Sequence, residues 1–305
     1  MNEGFSTHSP ADLRRTPPEL YFAASAVFHY LGPACAVLLF AYVPPLGVAW
    51  LRIAVAAIAF ALWRRPWRVL RTASPVQRRL LLAMGLVLAS MNSVFYLAID
   101  RLPLATVGAI EFLAPILIAL VGLRDRRNLV ALAMAVAGAS MLTRVHFEGG
   151  AFGYVLAFAN CALFGAYLVI GHALARDGSA AGIDRLGAAM LIALLVAAPI
   201  GVRDALPALS DAHLLAAAVG VGLCSSVVPY VFDQLAMARL PRATFALMLA
   251  LLPASAALIG ALVLQQRPTP LEWAGIALVI AGVRLHRRDG PHSAPVEGTG
   301  SKSQA

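Results

Sequence analysis

Arg101-Leu102-Pro103-Leu104-Ala105-Thr106 recurs 138 residues later as Arg239-Leu240-Pro241-Arg242-Ala243-Thr244. The match continues without a gap through Leu113/Leu251, Pro115/Pro253, Ala119/Ala257, Leu120/Leu258 and Gly122/Gly260, giving 10 identities over 22 aligned positions. Each copy opens a long apolar stretch. Two related halves in a chain built of such stretches point first to a transporter assembled from internal repeats.

Outward from the repeat, ten apolar stretches fill the chain, at about residues 20–41, 46–63, 79–99, 103–122, 128–144, 150–172, 182–201, 212–236, 241–264 and 270–286. A helix needs roughly 20 apolar residues to cross a bilayer. None of these runs alternates as a strand would, so helix is the expected spanning structure. Composition agrees: 60% of the chain is hydrophobic and 13% charged, where a soluble domain carries about 25% charge. The expectation is an all-α membrane protein with lipid as its main solvent.

The formal net charge of +9 does not point to nucleic acid, because the basic residues are scattered through short loops. They report orientation instead. With the N-terminus in the cytoplasm, nineteen Arg and Lys fall inside and four (Arg101, Arg144, Arg203, Arg267) outside, with Arg52 within a span. That bias predicts N-in, C-in topology. Each half then holds five spans, an odd number, so the halves insert in opposite senses. The predicted organisation is a cytoplasmic tail (1–18), a first five-helix repeat (19–145), a second (146–288) and a disordered cytoplasmic tail (289–305). The first span follows Arg14 and Arg15 without a signal-peptide cleavage pattern and is read as retained.

Several residues are costly in hydrocarbon and become candidates for chemistry. Glu111 lies near the middle of the fourth span. It could bind an amine or couple to protons, or serve as a structural partner for Arg52. Arg52, two turns inside the second span, could clamp a substrate carboxylate or lock two helices through Glu111. His29, central in the first span, is either a hydrogen-bonded core imidazole or a site lining. Asn92 and Tyr96 share a helix face, as do Asn160, Phe164 and Tyr167, and Ser226, Tyr230 and Asp233. Interhelical hydrogen bonding explains any one stripe; three together suggest a polar cavity. Asp233 lies nearer the inner end of its span, at an interface or a gate. Pro115 and Pro253, equivalent in the two halves, kink for packing or act as hinges. The three cysteines have no metal-ligand spacing, and no metal or cofactor motif stands out.

The residues also resemble a family. Ser90-Met91-Asn92-Ser93-Val94-Phe95-Tyr96-Leu97-Ala98-Ile99, then Leu102-Pro103-Leu104, then Ala109-Ile110-Glu111-Phe112-Leu113-Ala114-Pro115, resemble the drug/metabolite transporter superfamily, EamA type. Gly47-Val48-Ala49-Trp50-Leu51-Arg52 looks like its arginine-bearing second helix, and Pro229-Tyr230-Val231-Phe232-Asp233 like a Pro-Tyr-x-x-acid element. Within the superfamily the chain is most similar to inner-membrane threonine/homoserine exporters, with Leu252 standing where those carry an acid. The resemblance implies a plasma-membrane secondary transporter exporting a small amino acid or related metabolite. It would need no cofactor, and protons are a candidate coupling ion. A passive channel or facilitator and a non-transporting scaffold are the alternatives. An intramembrane enzyme is disfavoured by the absence of hydrolase and protease motifs.

Overall fold

Four prolines and a serine set where the first helices begin and end. The computed structural model describes residues 18–102, 104–122, 125–142, 150–249, 251–252, 255 and 270–285. Its helices are α1 (Pro18–Leu39), α2 (Pro45–Arg64), the short α3 (Trp67–Thr72) and α4 (Pro75–Ile99). Pro45 and Pro75 stand in the first turn, where a missing N–H costs nothing. Ser74 and Gln77 form a reciprocal capping box at the start of α4. Arg65 ends α2 in the left-handed region (φ 51°), just before Pro66.

Next come α5 (Leu104–Glu111), α6 (Leu113–Gly122), α7 (Arg126–Leu142), α8 (Ala151–Leu174) and α9 (Ser179–Ser210). α10 (Ala212–Gly222) runs through a π turn (Leu223–Val227) into α11 (Val228–Met237). α12 (Arg242–Met248) and α13 (Pro270–Leu285) complete the described elements. Asp211 caps α10, accepting from the His213 and Leu214 backbone N–H groups at 2.7 and 3.0 Å. These two bonds hold its carboxyl below the usual carboxylate range.

Among the described residues there is no strand, and six helices are long and apolar enough to cross a membrane: α1, α2, α4, α8, α9 and the continuous Ala212–Met237. Exposure is inverted relative to a soluble protein. Leu62, Val121 and Leu195 are 82%, 80% and 74% exposed, whereas Arg52, Asn92, Glu111, Asn160 and Asp233 are buried. Such a surface suits hydrocarbon, and the interior carries the polar groups.

Three details differ from the sequence-based expectation. The fourth stretch is interrupted at Phe112, because Pro115 has no N–H to give to the Glu111 carbonyl. α9 continues to Ser210 through Pro199 and Pro207, beyond the end expected near residue 201. α3 is an added turn of helix between two spans. Pro253, with Ala257, Leu258 and Gly260 of the second repeat copy, lies outside the described residues, as do residues 1–17 and 286–305.

The main helix pairings are α2 with α9, α7 with α13, α6 with α12, α4 with both α8 and α9, and α1 with α11. Glycines allow the closest approaches. A Cβ on Gly32 would collide with Ser225 Cβ, so the backbone of α1 rests directly on the π turn. A Cβ on Gly85 would meet Ile192 at 2.5 Å, and one on Gly222 would meet Val55 at 2.5 Å.

Candidate functional site

A cavity lies where these helices converge. α1 contributes His29 and Pro33, α2 Arg52, α4 Met91, Asn92 and Phe95, and α5 Glu111. α8 adds Asn160 and Phe164, the π turn Ser225, and α11 Tyr230. The cavity, counted with the open space at its mouth, is about 360 Å³.

Six of the sequence-derived site residues therefore meet in one place: His29, Arg52, Asn92, Glu111, Asn160 and Tyr230. Tyr96 stands behind the lining. Its ring lies 5.3 Å from the Arg52 guanidinium carbon, and its hydroxyl accepts from Arg52 Nη1 at 3.4 Å. Tyr167 and Asp233 are bonded to each other at 2.9 Å, off the cavity. Pro115 borders a smaller adjoining space with Tyr30, Gly108, Glu111 and Leu252.

The two cavity charges do not pair. Among the described residues no ion pair within 4.0 Å joins Arg52 to Glu111. Arg52 Nε donates to Ser226 Oγ at 2.9 Å and Nη2 to the Ser225 carbonyl at 2.5 Å. With the Tyr96 bond, three of its five N–H groups are engaged and two remain. Glu111 Oε1 accepts from Asn160 Nδ2 at 2.9 Å, and Asn160 Oδ1 is buried without a hydrogen-bond partner. One side of the cavity thus offers donors on a cation, and the other offers acceptors beside a carboxylate. Asn92, which lines the same cavity from α4, donates to the Leu88 carbonyl at 2.6 Å.

Backbone geometry supports this arrangement. Pro33, Pro115 and Pro229 each follow a cavity residue by four positions: His29, Glu111 and Ser225. A proline cannot donate to the carbonyl four residues earlier. The Ser225 carbonyl, released by Pro229, is the one that takes Arg52 Nη2. Pro33, Met91, Phe95 and Ser225 were not singled out from sequence as site residues. The proline spacing is the signal that points to two of them, Pro33 and Ser225. Among the described residues no group of three His, Cys, Asp or Glu is placed to hold a metal ion.

The threonine/homoserine exporter RhtA of Escherichia coli strain K12 is 31% identical over 282 residues, covering 89% of this chain and 92% of that protein. Residues 151–287 match the model of the EamA-like transporter family. The chain belongs to the EamA-like transporter family. The RhtA protein of Salmonella typhimurium strain SL1344 is 32% identical over 257 residues, covering 82% of this chain and 84% of its own. A solved crystal structure, 21% identical, superposes with a TM-score of 0.64 over 88% of this chain and 95% of that one, a likeness of fold.

Proposed function

We propose that the protein is a secondary transporter that exports a small amino acid of the threonine/homoserine kind, or a related metabolite, by alternating access. It sits in the plasma (inner) membrane as a multi-pass protein. The observation that carries this reading is the cavity in which Arg52 and Glu111 are both buried yet not paired. An amphoteric solute resolves both charges at once. Its ammonium meets Glu111 and the free Asn160 Oδ1, and its carboxylate meets the two remaining N–H groups of Arg52. The names of the RhtA relatives support this substrate class.

Two inverted five-span halves (19–145 and 146–288), N-in and C-in, supply the alternation. The helix pairings support them. Numbering α4 as span three, α5 and α6 as span four, and Ala212–Met237 as span eight, a two-fold exchange of span n with span n+5 leaves three pairings unchanged: α2 with α9, α6 with α12, α7 with α13. It converts the pairing of α4 with α8 into that of α11 with α1. Gly85 against Ile192 becomes Gly222 against Val55, with both equivalent positions 137 residues apart. Further along, Leu97-Ala98 and Leu235-Ala236 are 138 apart. The extra residue falls in the stretch containing the π turn, whose i→i+5 bonding absorbs one residue more than an α turn. The second half thus carries a distortion without counterpart in α4, and it is this distortion that holds Arg52.

The test is counterflow in proteoliposomes. Preloaded threonine or homoserine should accelerate entry of the labelled solute, and saturably. Non-saturable flux without acceleration is the signature of a channel, and absence of flux that of a scaffold; either result overturns the reading. Pro229→Ala restores an N–H that competes for the Ser225 carbonyl. It is expected to raise the KM for threonine ~2- to 10-fold, the worth of one hydrogen bond of about 0.5–1.5 kcal/mol. Uptake kinetics in the same vesicles measure it.

A further inference from the structure

A second polar cluster lies apart from the cavity. Asp233 of α11 is buried; its Oδ1 is 2.6 Å from Ser25 Oγ on α1, and its Oδ2 is 2.9 Å from the Tyr167 hydroxyl on α8. Ser25 Oγ is also 3.2 Å from the Pro229 carbonyl. No cation neutralises this carboxylate: among the described residues no ion pair within 4.0 Å involves it. The charged groups on the elements around it are engaged elsewhere. Arg52, against the π turn, is bonded to Ser225 and Ser226. Arg185 of α9 is held by Asp177 and the Leu174 carbonyl. Arg239, after α11, stacks on Tyr21 of α1 at 5.4 Å. Arg242 of α12 acts on His172 of α8. The titratable neighbours are Tyr167 and, on the same helix, Tyr230.

Counting hydrogens favours a protonated Asp233 in this cluster. Ser25 has one O–H and faces two acceptors, Asp233 Oδ1 and the Pro229 carbonyl. A single proton serves one of them. If Asp233 carries a proton on Oδ1, that proton goes to Ser25 Oγ and the Ser25 proton goes to the Pro229 carbonyl. Tyr167 donates to Oδ2, and each hydrogen is used once. An ionised Asp233 would instead be buried with two hydroxyl donors and no counter-charge, a costly arrangement.

We propose that Asp233 is a proton-binding site of the transporter, separate from the substrate cavity, which takes up and releases one proton to water during the transport cycle. Release ends the chain from Asp233 through Ser25 to Pro229. That chain ties α1 of the first half to α11 of the second, so the proton biases how the halves sit together. Each carboxylate oxygen already meets a hydroxyl and Asp233 does not line the cavity, which sets it apart from a solute ammonium held there. Glu111, facing the cavity, has one. The inference rests on the transport reading above.

The experiment uses the full chain in proteoliposomes with labelled threonine, read two ways: counterflow at equal pH, and accumulation driven by an imposed pH gradient. The wild type is expected to do both. Asp233→Asn reproduces the protonated network, with Nδ2 donating to Ser25 and Oδ1 accepting from Tyr167, so it should fold. It is expected to exchange threonine still, to lose gradient-driven accumulation, and to lose the pH dependence of exchange. Tyr167→Phe removes a donor to the ionised form and should move the pH midpoint of exchange upward. Gradient-driven accumulation by Asp233→Asn overturns the proposal. So does a wild type that exchanges threonine but ignores the pH gradient. If Asp233→Asn fails to insert, an unmoved midpoint in Tyr167→Phe overturns it instead. A wild type without counterflow overturns the transport reading along with it.

Discussion

Glu111→Gln is expected to raise the KM for threonine by ~30-fold or more while leaving membrane abundance near wild type. The two halves of that expectation have separate causes. Gln keeps an oxygen that can accept from Asn160 Nδ2, the one protein bond Glu111 makes at 2.9 Å, so the helix contact between α5 and α8 persists. The lost charge is felt only when a solute ammonium enters. Removing one partner of a buried charge pair costs about 2–5 kcal/mol, and 2 kcal/mol is already ~30-fold. Because the unpartnered Asn160 Oδ1 remains, a residual binding site survives, and the maximal rate should fall less than the affinity. Concentration-dependent exchange in vesicles, alongside quantitation of the protein in membranes, separates these effects. Normal export by the variant removes Glu111 from the site.

Arg52→Lys is expected to cost ~10- to 100-fold in the KM for threonine, although it preserves charge. The guanidinium reaches three groups in three directions: Ser226 Oγ, the Ser225 carbonyl and the Tyr96 hydroxyl. An ammonium is a point donor on a flexible stem and cannot reproduce a planar fork. Lys would have to leave the released Ser225 carbonyl, or the solute carboxylate, without its donor. A charged hydrogen bond is worth about 1.5–3 kcal/mol, which sets the scale. The solute's carboxyl should matter in parallel. An uncharged amide analogue, a poor ligand of the wild type, should lose little more on the variant. Equal losses for the acid and its amide would place Arg52 outside the carboxylate site and leave it as a helix tether.

These expectations depend on residues that differ in how far they could be read in advance. Glu111 and Arg52 stand out because an ionised group in an apolar run has few tolerable fates. Both line the cavity. The stripe Asn160, Phe164 and Tyr167 is a genuine helix face, but seven residues span ~10 Å along the axis. Asn160 reaches Glu111 at one level, and Tyr167 reaches Asp233 at another. Helical periodicity states which side chains share a face. It does not state which neighbour stands opposite each turn.

Apolar run length, arginine spacing and the doubled Arg-Leu-Pro phrase were enough to predict a helical membrane protein with buried charge. Bilayer thickness and the cost of desolvation act on any chain of that composition, whatever its packing. Contacts between distant segments had to form before Arg52 was assigned to the π turn rather than to Glu111, and before Ser25 was joined to Asp233. Those partners are 173 and 208 residues away along the chain. Their selection follows from where Pro229 frees the Ser225 carbonyl for Arg52 of α2, and where Gly32 lets α1 lie against the π turn with Ser25 in reach of Asp233.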